Sequence, residues 1–158
     1  MLRARYGIHL DRERGWLVKN AEAPIPVDIE RRLGIAGRRL GARHDVSFAY
    51  LFGGLASGRN TPLSDIDVAV FLAERTDPVE AKLEILGELM GLLGTERIDL
   101  VVLNTAPLSL RGRIVAGRKV LADNRPFERH AFESLTQREF FDFAVRERRL
   151  LRRRYLHG

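Results

Sequence analysis

The residues with the clearest chemical potential are two aspartates that alternate along an apolar segment. Asp65 and Asp67 flank Ile66 at the start of residues 65–72, DIDVAVFL, a pattern typical of a buried β-strand. Side chains alternate faces along a strand, so both carboxylates are expected on one face, where their charges repel each other. A divalent cation between them would remove that repulsion. Because the ligands are oxygens without histidine or cysteine, Mg²⁺ or Mn²⁺ fits better than zinc.

A third carboxylate stands near the start of another apolar segment. Asp99 lies in residues 98–103, IDLVVL, which is also predicted to be a strand. If this strand neighbours 65–72, Asp99 joins the other two aspartates. Three carboxylates at adjacent strand ends can hold two metal ions, roughly 3.5–4 Å apart, that clamp the attacking and leaving oxygens of a phosphoryl transfer. Taken alone, Asp99 is more typical of a turn or a solvated strand end.

Two glycines upstream supply a candidate phosphate site. Gly53 and Gly54 directly follow residues 46–52, VSFAYLF, and ten residues separate them from Asp65. Glycines let the backbone approach a ligand closely, and successive N–H groups at such a turn form a concavity that binds anions. A diglycine turn alone is weak evidence. Its spacing from the two aspartates makes the combination specific for a nucleotide beside metal-binding carboxylates.

A small α/β framework is predicted to position these residues. Alternating and β-prone segments predict four strands, over 46–52, 65–72, 98–103 and, as a short edge strand, 119–122. Apolar spacing predicts helices over 28–40, 78–93, 108–115 and about 126–155. Asp77 is the expected N-cap of the second helix, and Gly94 follows its end. This order predicts an α/β (α+β) domain, with one small mixed sheet flanked by helices and a long C-terminal helix.

The chain is expected to divide into an extension and one domain. Residues 1–24 are irregular in pattern, are predicted to hold a short strand or hairpin, and contain Trp16 as a candidate anchor onto the domain. Residues 25–158 are predicted to form the domain, including the C-terminal helix. The expected apolar spine of that helix has seven members: Phe132, Leu135, Phe140, Phe143, Val145, Leu150 and Leu151.

Composition excludes several kinds of site. The 158 residues contain no cysteine, which excludes disulfides, zinc-thiolate sites, iron–sulfur clusters and a cysteine nucleophile. The four histidines lack ligand spacing. No apolar run approaches the ~18–20 residues of a membrane span, and no signal-peptide pattern is present, so a soluble cytoplasmic protein is expected.

Arginine dominates the charge of the chain. The formal net charge is +6, and residues 146–154 contain six arginines and one glutamate. This run is most typical of a solvated helix face, with an acidic protein partner as the second interpretation and nucleic acid as the third. No aromatic residues are interleaved to stack single-stranded bases.

Together these motifs resemble the polymerase-β-like nucleotidyltransferase superfamily. Gly53-Gly54, then Asp65-Ile66-Asp67, then a later Asp99 form its signature. The segments LFGGLASGRNTPLSDIDVAVFL and RIDLVVLNTAP are similar to the minimal nucleotidyltransferase (MNT) antitoxins that pair with HEPN toxins. The resemblance extends over about residues 28–150. It departs from the family at Gly54, where serine is commoner, and at Leu55 and Ser57, where arginine is frequent.

The resemblance implies a Mg²⁺-dependent AMP transfer from ATP to a tyrosine of a HEPN ribonuclease toxin, which silences the toxin. It implies that Asp65, Asp67 and Asp99 are catalytic and hold the metal. Asp99 would also help to deprotonate the attacking hydroxyl. Nucleotide binding is implied for three residues, Gly53, Gly54 and Ser64.

Three other functions stay open. The first is nucleotidyl transfer to a small molecule such as an aminoglycoside, although such enzymes usually carry a further helical substrate domain. The second is a binding-only antitoxin with a vestigial site, against which the retention of three mutually repelling carboxylates argues. The third is a nucleic-acid-directed transferase that uses the arginines.

Overall fold

The framework of the protein is a four-stranded mixed sheet. The computed structural model describes residues 8–10, 17–19, 25–59, 61 and 64–156, and side chains within 25–150. The strands are β3 (Val46–Phe52), β4 (Ile66–Leu72), β5 (Ile98–Val102) and β6 (Lys119–Asp123), in the order β5-β4-β3-β6. β3 is antiparallel to both β4 and β6, whereas β4 and β5 are parallel. The predicted mixed sheet and its short edge strand are confirmed.

Helices cover both faces of this sheet. In the described ranges they are α1 (Ile29–Gly41), α2 (Gly53–Ser57), α3 (Pro78–Leu93), α4 (Leu108–Gly117) and α5 (Pro126–Leu156). Alternate residues of β3 pack into two different apolar cores, because successive side chains of a strand point to opposite faces of the sheet. Ala49 and Leu51 pack with α1 and α3, whereas Phe48 and Tyr50 pack with α4 and α5.

The limits of α3 are set by local signals. The Asp77 carboxylate accepts hydrogen bonds from the N–H groups of Val79 and Glu80, each at 2.9 Å. Pro78 occupies the first helical position, where a missing N–H is tolerated. Gly94 ends the helix in the left-handed conformation, with φ +68°. Both predicted helix boundaries are confirmed.

A short strand pair precedes the domain. β1 (Ile8–Leu10) is antiparallel to β2 (Leu17–Lys19), which agrees with the predicted hairpin. Trp16, the predicted anchor, lies outside the described residues. The division of the chain after residue 24 stays a prediction.

The long C-terminal helix extends past the sheet that it covers. α5 has 31 residues, which corresponds to about 46 Å. Phe132 is buried, and the Phe140 ring packs so closely on α4 that a Cβ at Gly112 would lie 2.3 Å from it. The predicted apolar spine is wrong in part, and the side chain of its member Leu151 lies outside the described residues. Three of its members are 45–66% exposed: Leu135, Phe143 and Leu150. Within the described ranges no helix has the length and apolar character to cross a membrane.

A buried carboxylate ties α5 to the sheet. Glu133 is 6% exposed, accepts a hydrogen bond of 2.7 Å from the Tyr50 hydroxyl, and forms ion pairs with Arg118 and Arg129. Burial alone would raise the pKa of Glu133, but hydrogen bonds from Arg118, Tyr50 and Arg129 outweigh burial and lower it to about 2. Burial and the negative charge of Glu133 raise the pKa of Tyr50, which keeps its hydroxyl a donor. Glu133 was not singled out from the sequence.

Candidate functional site

The site begins where β3 turns directly into α2. Gly53, the first residue of α2, has φ +69°, a left-handed conformation that disfavours any side chain. Antiparallel pairing of β3 with β4 places Phe52 opposite Asp67. A Cβ built on Gly53 would lie 2.0 Å from Asp67 Oδ2. The Asp67 carboxylate therefore packs on the Gly53 backbone, and glycine is required both by the turn and by this contact.

The surroundings of Asp67 disfavour a negative charge on its side chain. It is half-buried on β4, and the parallel register pairs it with Asp99 on β5. Burial raises the pKa of Asp67, and the negative charges of Asp99 and Asp65 raise it further, opposed by a hydrogen bond from the Gly54 backbone. Negative charge is therefore unfavourable at this position in the protein alone. A bound cation would reverse that balance.

Asp65 lies just outside the strand. β4 begins at Ile66, one residue after the predicted start, and the prediction that Asp65 and Asp67 share a face stays a prediction. The Asp65 side chain is 61% exposed, and its Oδ1 accepts a hydrogen bond of 3.2 Å from Arg97 Nε. Its charge nevertheless contributes to the raised pKa of Asp67. The paired Ile66 and Ile98 place Arg97 beside Asp65, and this residue was missed at the level of sequence.

The remaining predicted residues differ in their surroundings. Asp99 is exposed on β5 beside Asp67. The Ser64 side chain is engaged locally, because its oxygen accepts a hydrogen bond of 2.8 Å from the Thr61 N–H and lies 3.1 Å from Thr61 Oγ1. The described contacts therefore give Ser64 a role in closing the loop before β4, and its contact with nucleotide stays a prediction.

The carboxylates suit a metal that arrives with a nucleotide. Among the described residues, no three Asp, Glu or His side chains form a ready-made metal cage. Mg²⁺ is usually held by one or two carboxylates, with phosphate oxygens and waters filling the other positions. Asp67 and Asp99 on adjacent strands, with Asp65 close by, supply oxygen donors and excess negative charge of this kind. The residues fit Mg²⁺, and the three-ligand assignment stays a prediction.

A cavity of about 410 Å³ lies toward the other end of the same strands. Its walls include Phe71, Leu103 and Phe132. Phe71 is four residues along β4 from Asp67, a distance of roughly 13 Å in an extended strand. This cavity is therefore separate from the carboxylates.

Several solved structures with similar folds come from toxin–antitoxin systems. A chain in a toxin–antitoxin crystal structure with AMP-PNP has a TM-score of 0.61 and 24% identity, covering 77% of this chain and 94% of that chain. A chain from an MntA–HepT toxin–antitoxin complex has a TM-score of 0.57 and 23% identity, covering 77% and 95%. Because both identities are below 25%, these similarities show a shared fold only.

A third structure contains a modified toxin. In tri-AMPylated Shewanella oneidensis HEPN toxin in complex with MNT antitoxin, the matching chain has a TM-score of 0.56 and 21% identity, covering 75% of this chain and 95% of that chain. No curated protein matches the present sequence.

Family membership follows from the sequence match across the site. The model of the family "Polymerase beta, Nucleotidyltransferase" matches residues 38–126, more than half of the chain. The matched region contains Gly53, Gly54 and the three aspartates. The chain belongs to the polymerase beta nucleotidyltransferase family.

Proposed function

We propose that this protein transfers AMP from ATP to a hydroxyl group, expected to be a tyrosine, of a HEPN-type toxin and thereby neutralises that toxin. One observation carries the proposal. Asp67 packs on the left-handed backbone of Gly53, and Asp99 lies opposite it on the parallel strand β5. A carboxylate pair beside a glycine turn can hold a metal-bound triphosphate, and the family match covers these residues.

The structural neighbours support the substrate and the partner of this proposal. One similar chain was crystallised in a toxin–antitoxin with AMP-PNP, an ATP analogue. Another comes from a complex whose HEPN toxin carries three AMP groups. These complexes favour ATP as the AMP donor and a toxin as the acceptor, rather than a small molecule.

Three carboxylates would hold Mg²⁺ in this mechanism: Asp65, Asp67 and Asp99. When bound, Mg²⁺ supplies positive charge to the triphosphate and to the transition state. The left-handed turn at Gly53 brings the backbone close to the carboxylates, where the Gly54 N–H donates to Asp67 and neighbouring N–H groups of the turn would face phosphate oxygens. Asp67, packed on this turn, would hold the cation beside those N–H groups.

The chemical step is an in-line displacement at the α-phosphorus. The acceptor hydroxyl oxygen forms a bond to that phosphorus while the bond to the pyrophosphate oxygen breaks, and pyrophosphate leaves. Asp99 is exposed at the mouth of the site and is the candidate acceptor of the hydroxyl proton. Positioning and charge stabilisation carry most of the expected rate enhancement.

Intact mass measurement tests the proposal. The purified protein is incubated with ATP, Mg²⁺ and the HEPN toxin that co-purifies with it, and the toxin is weighed by mass spectrometry. The expected result is a mass increase in whole AMP units, absent with an Asp67→Asn, Asp99→Asn double variant. A toxin that is bound and inhibited with no change in mass would instead establish a binding-only antitoxin. Strong, salt-dependent RNA binding would favour the nucleic-acid-directed transferase.

A further inference from the structure

Arg97 is a charged residue within the candidate site that the proposed chemistry does not use. It immediately precedes β5, two residues before Asp99, and its side chain is only 16% exposed. The Ile66 N–H donates to the Arg97 carbonyl oxygen at 2.8 Å, and the Arg97 N–H donates to Thr95 Oγ1 at 3.1 Å. These bonds fix the backbone at the point where β4 and β5 begin side by side. They direct a guanidinium toward Asp65, where Nε donates to Oδ1 at 3.2 Å.

The Arg97–Asp65 pair differs from the pairs that serve packing. Arg43 makes two short hydrogen bonds to Asp45, at 2.7 and 2.9 Å, and both side chains are at least 85% buried. It also bonds to glutamates of α3. The contact of Arg97 Nε with Asp65 Oδ1 is longer, at 3.2 Å, and its carboxylate is 61% exposed. Water screens an ion pair to so exposed a carboxylate, so the Asp65 oxygens remain accessible to a cation from solvent.

We propose that Arg97 is a positioning residue that neutralises Asp65 before nucleotide arrives and competes with the divalent cation for that carboxylate. This inference rests on the proposed function, in which Asp65 is a metal ligand. A guanidinium and a divalent cation carry like charges, so a cation that binds Asp65 Oδ1 must displace Arg97, and one that binds Oδ2 is repelled by it. The pair lowers the repulsion among the carboxylates in the free protein and weakens cation binding.

Cation affinity measures this competition directly. The probe is Mn²⁺ with a non-hydrolysable ATP analogue, and the dissociation constant of Mn²⁺ is measured by electron paramagnetic resonance and by calorimetry. Arg97→Gln removes one positive charge beside a divalent ion and is expected to tighten Mn²⁺ binding at least about threefold. Arg97→Lys keeps the charge and should remain closer to the wild type. Arg39→Gln removes the same charge from α1, where Arg39 pairs with Glu88 at 3.1 Å, and should leave Mn²⁺ binding unchanged.

The outcomes separate this inference from the proposed function. An Arg97→Gln variant that binds Mn²⁺ no more tightly than Arg39→Gln, or that binds none, overturns the role of Arg97. Tighter Mn²⁺ binding by Arg97→Gln, together with a wild-type protein that never adds AMP to the toxin, supports Arg97 and overturns the transferase.

A measurement on the wild-type protein covers the case in which Arg97→Gln does not fold. The Arg97 side-chain Nε–H resonance is followed by NMR while Mg²⁺ and the ATP analogue are added. The proposal requires this resonance to shift as the cation binds Asp65. A resonance that stays in place while nucleotide binds overturns it.

Discussion

Replacement of Gly53 by alanine tests the contact on which the site is built. The Gly53 backbone has φ +69°, and a left-handed conformation costs a residue with a side chain about 1–2 kcal/mol. The new Cβ would lie 2.0 Å from Asp67 Oδ2 and 2.8 Å from its Cγ, so Asp67 must leave its rotamer at a further cost of about 0.5–1.5 kcal/mol. The free energy of unfolding should therefore fall by roughly 2–3 kcal/mol. A displaced Asp67 should reduce AMP transfer on the order of 10²-fold.

Gly58→Ala is the matched control for this experiment. Gly58 has a similar φ of +71°, but a Cβ there meets no described atom within 4 Å. The free energy of unfolding of Gly58→Ala should fall only by the ~1–2 kcal/mol that a left-handed conformation costs a residue with a side chain. This variant should still transfer AMP. Denaturant unfolding gives the two stabilities, and toxin mass against time gives the two rates. If Gly53→Ala transfers AMP as fast as Gly58→Ala, Asp67 does not need its observed position and the reasoning fails.

Three further substitutions separate catalysis from stability. Because the pKa of Asp67 is raised above 3.8, the folded state binds its proton more tightly than the unfolded state, and stability falls as pH rises above that value. Asp67→Asn should therefore increase the free energy of unfolding at pH 7 by roughly 0.2–1 kcal/mol. The same variant should no longer transfer AMP. A melting temperature below that of the wild type would contradict the expected gain in stability. Asp99→Asn should bind the ATP analogue within about threefold of the wild type but lose at least ~10²-fold in transfer, and an unchanged rate removes Asp99 from the mechanism. Glu133→Gln should lower the free energy of unfolding, measured in urea, by about 3 kcal/mol. Glu139, on the same helix, is more exposed, so Glu139→Gln should lower it by less than ~1 kcal/mol. The pKa of Glu133 is lowered from 4.5 to about 2, so its contribution is present above pH ~5 and is lost as pH falls toward 2; equal costs for the two glutamates would contradict its buried role.

Features that depend on a few neighbouring residues were predictable from the sequence. The N-cap at Asp77 and the glycine after α3 form within one helical turn, so their residue types were sufficient signals. The strand over 46–52 was predicted because its apolar run is short, β-prone and followed by two glycines. The spacing of Gly53 and Asp67 indicated a common site, because Gly53 follows one predicted strand and Asp67 lies near the start of the next.

Features that depend on pairing between distant segments were not predictable. Arg97 reaches Asp65 only because β4 and β5 are parallel and in register, and nothing in the sequence around Arg97 indicates this contact. Glu133 resembles an ordinary surface residue of a charged helix until Tyr50 of β3 is placed beneath it. Phe143 is 45% exposed although its apolar side chain predicted burial, since burial along α5 depends on which elements pack against it.

Anomalous diffraction from crystals grown with Mn²⁺ and a non-hydrolysable ATP analogue tests the metal-bound nucleotide site most directly. We expect a manganese peak in the anomalous density at ligand distance from the carboxylate oxygens of Asp67 and Asp99. The α-phosphate of the analogue should lie beside the turn at Gly53. Nucleotide bound elsewhere on the protein, or bound at the turn with no manganese at these carboxylates, would contradict it.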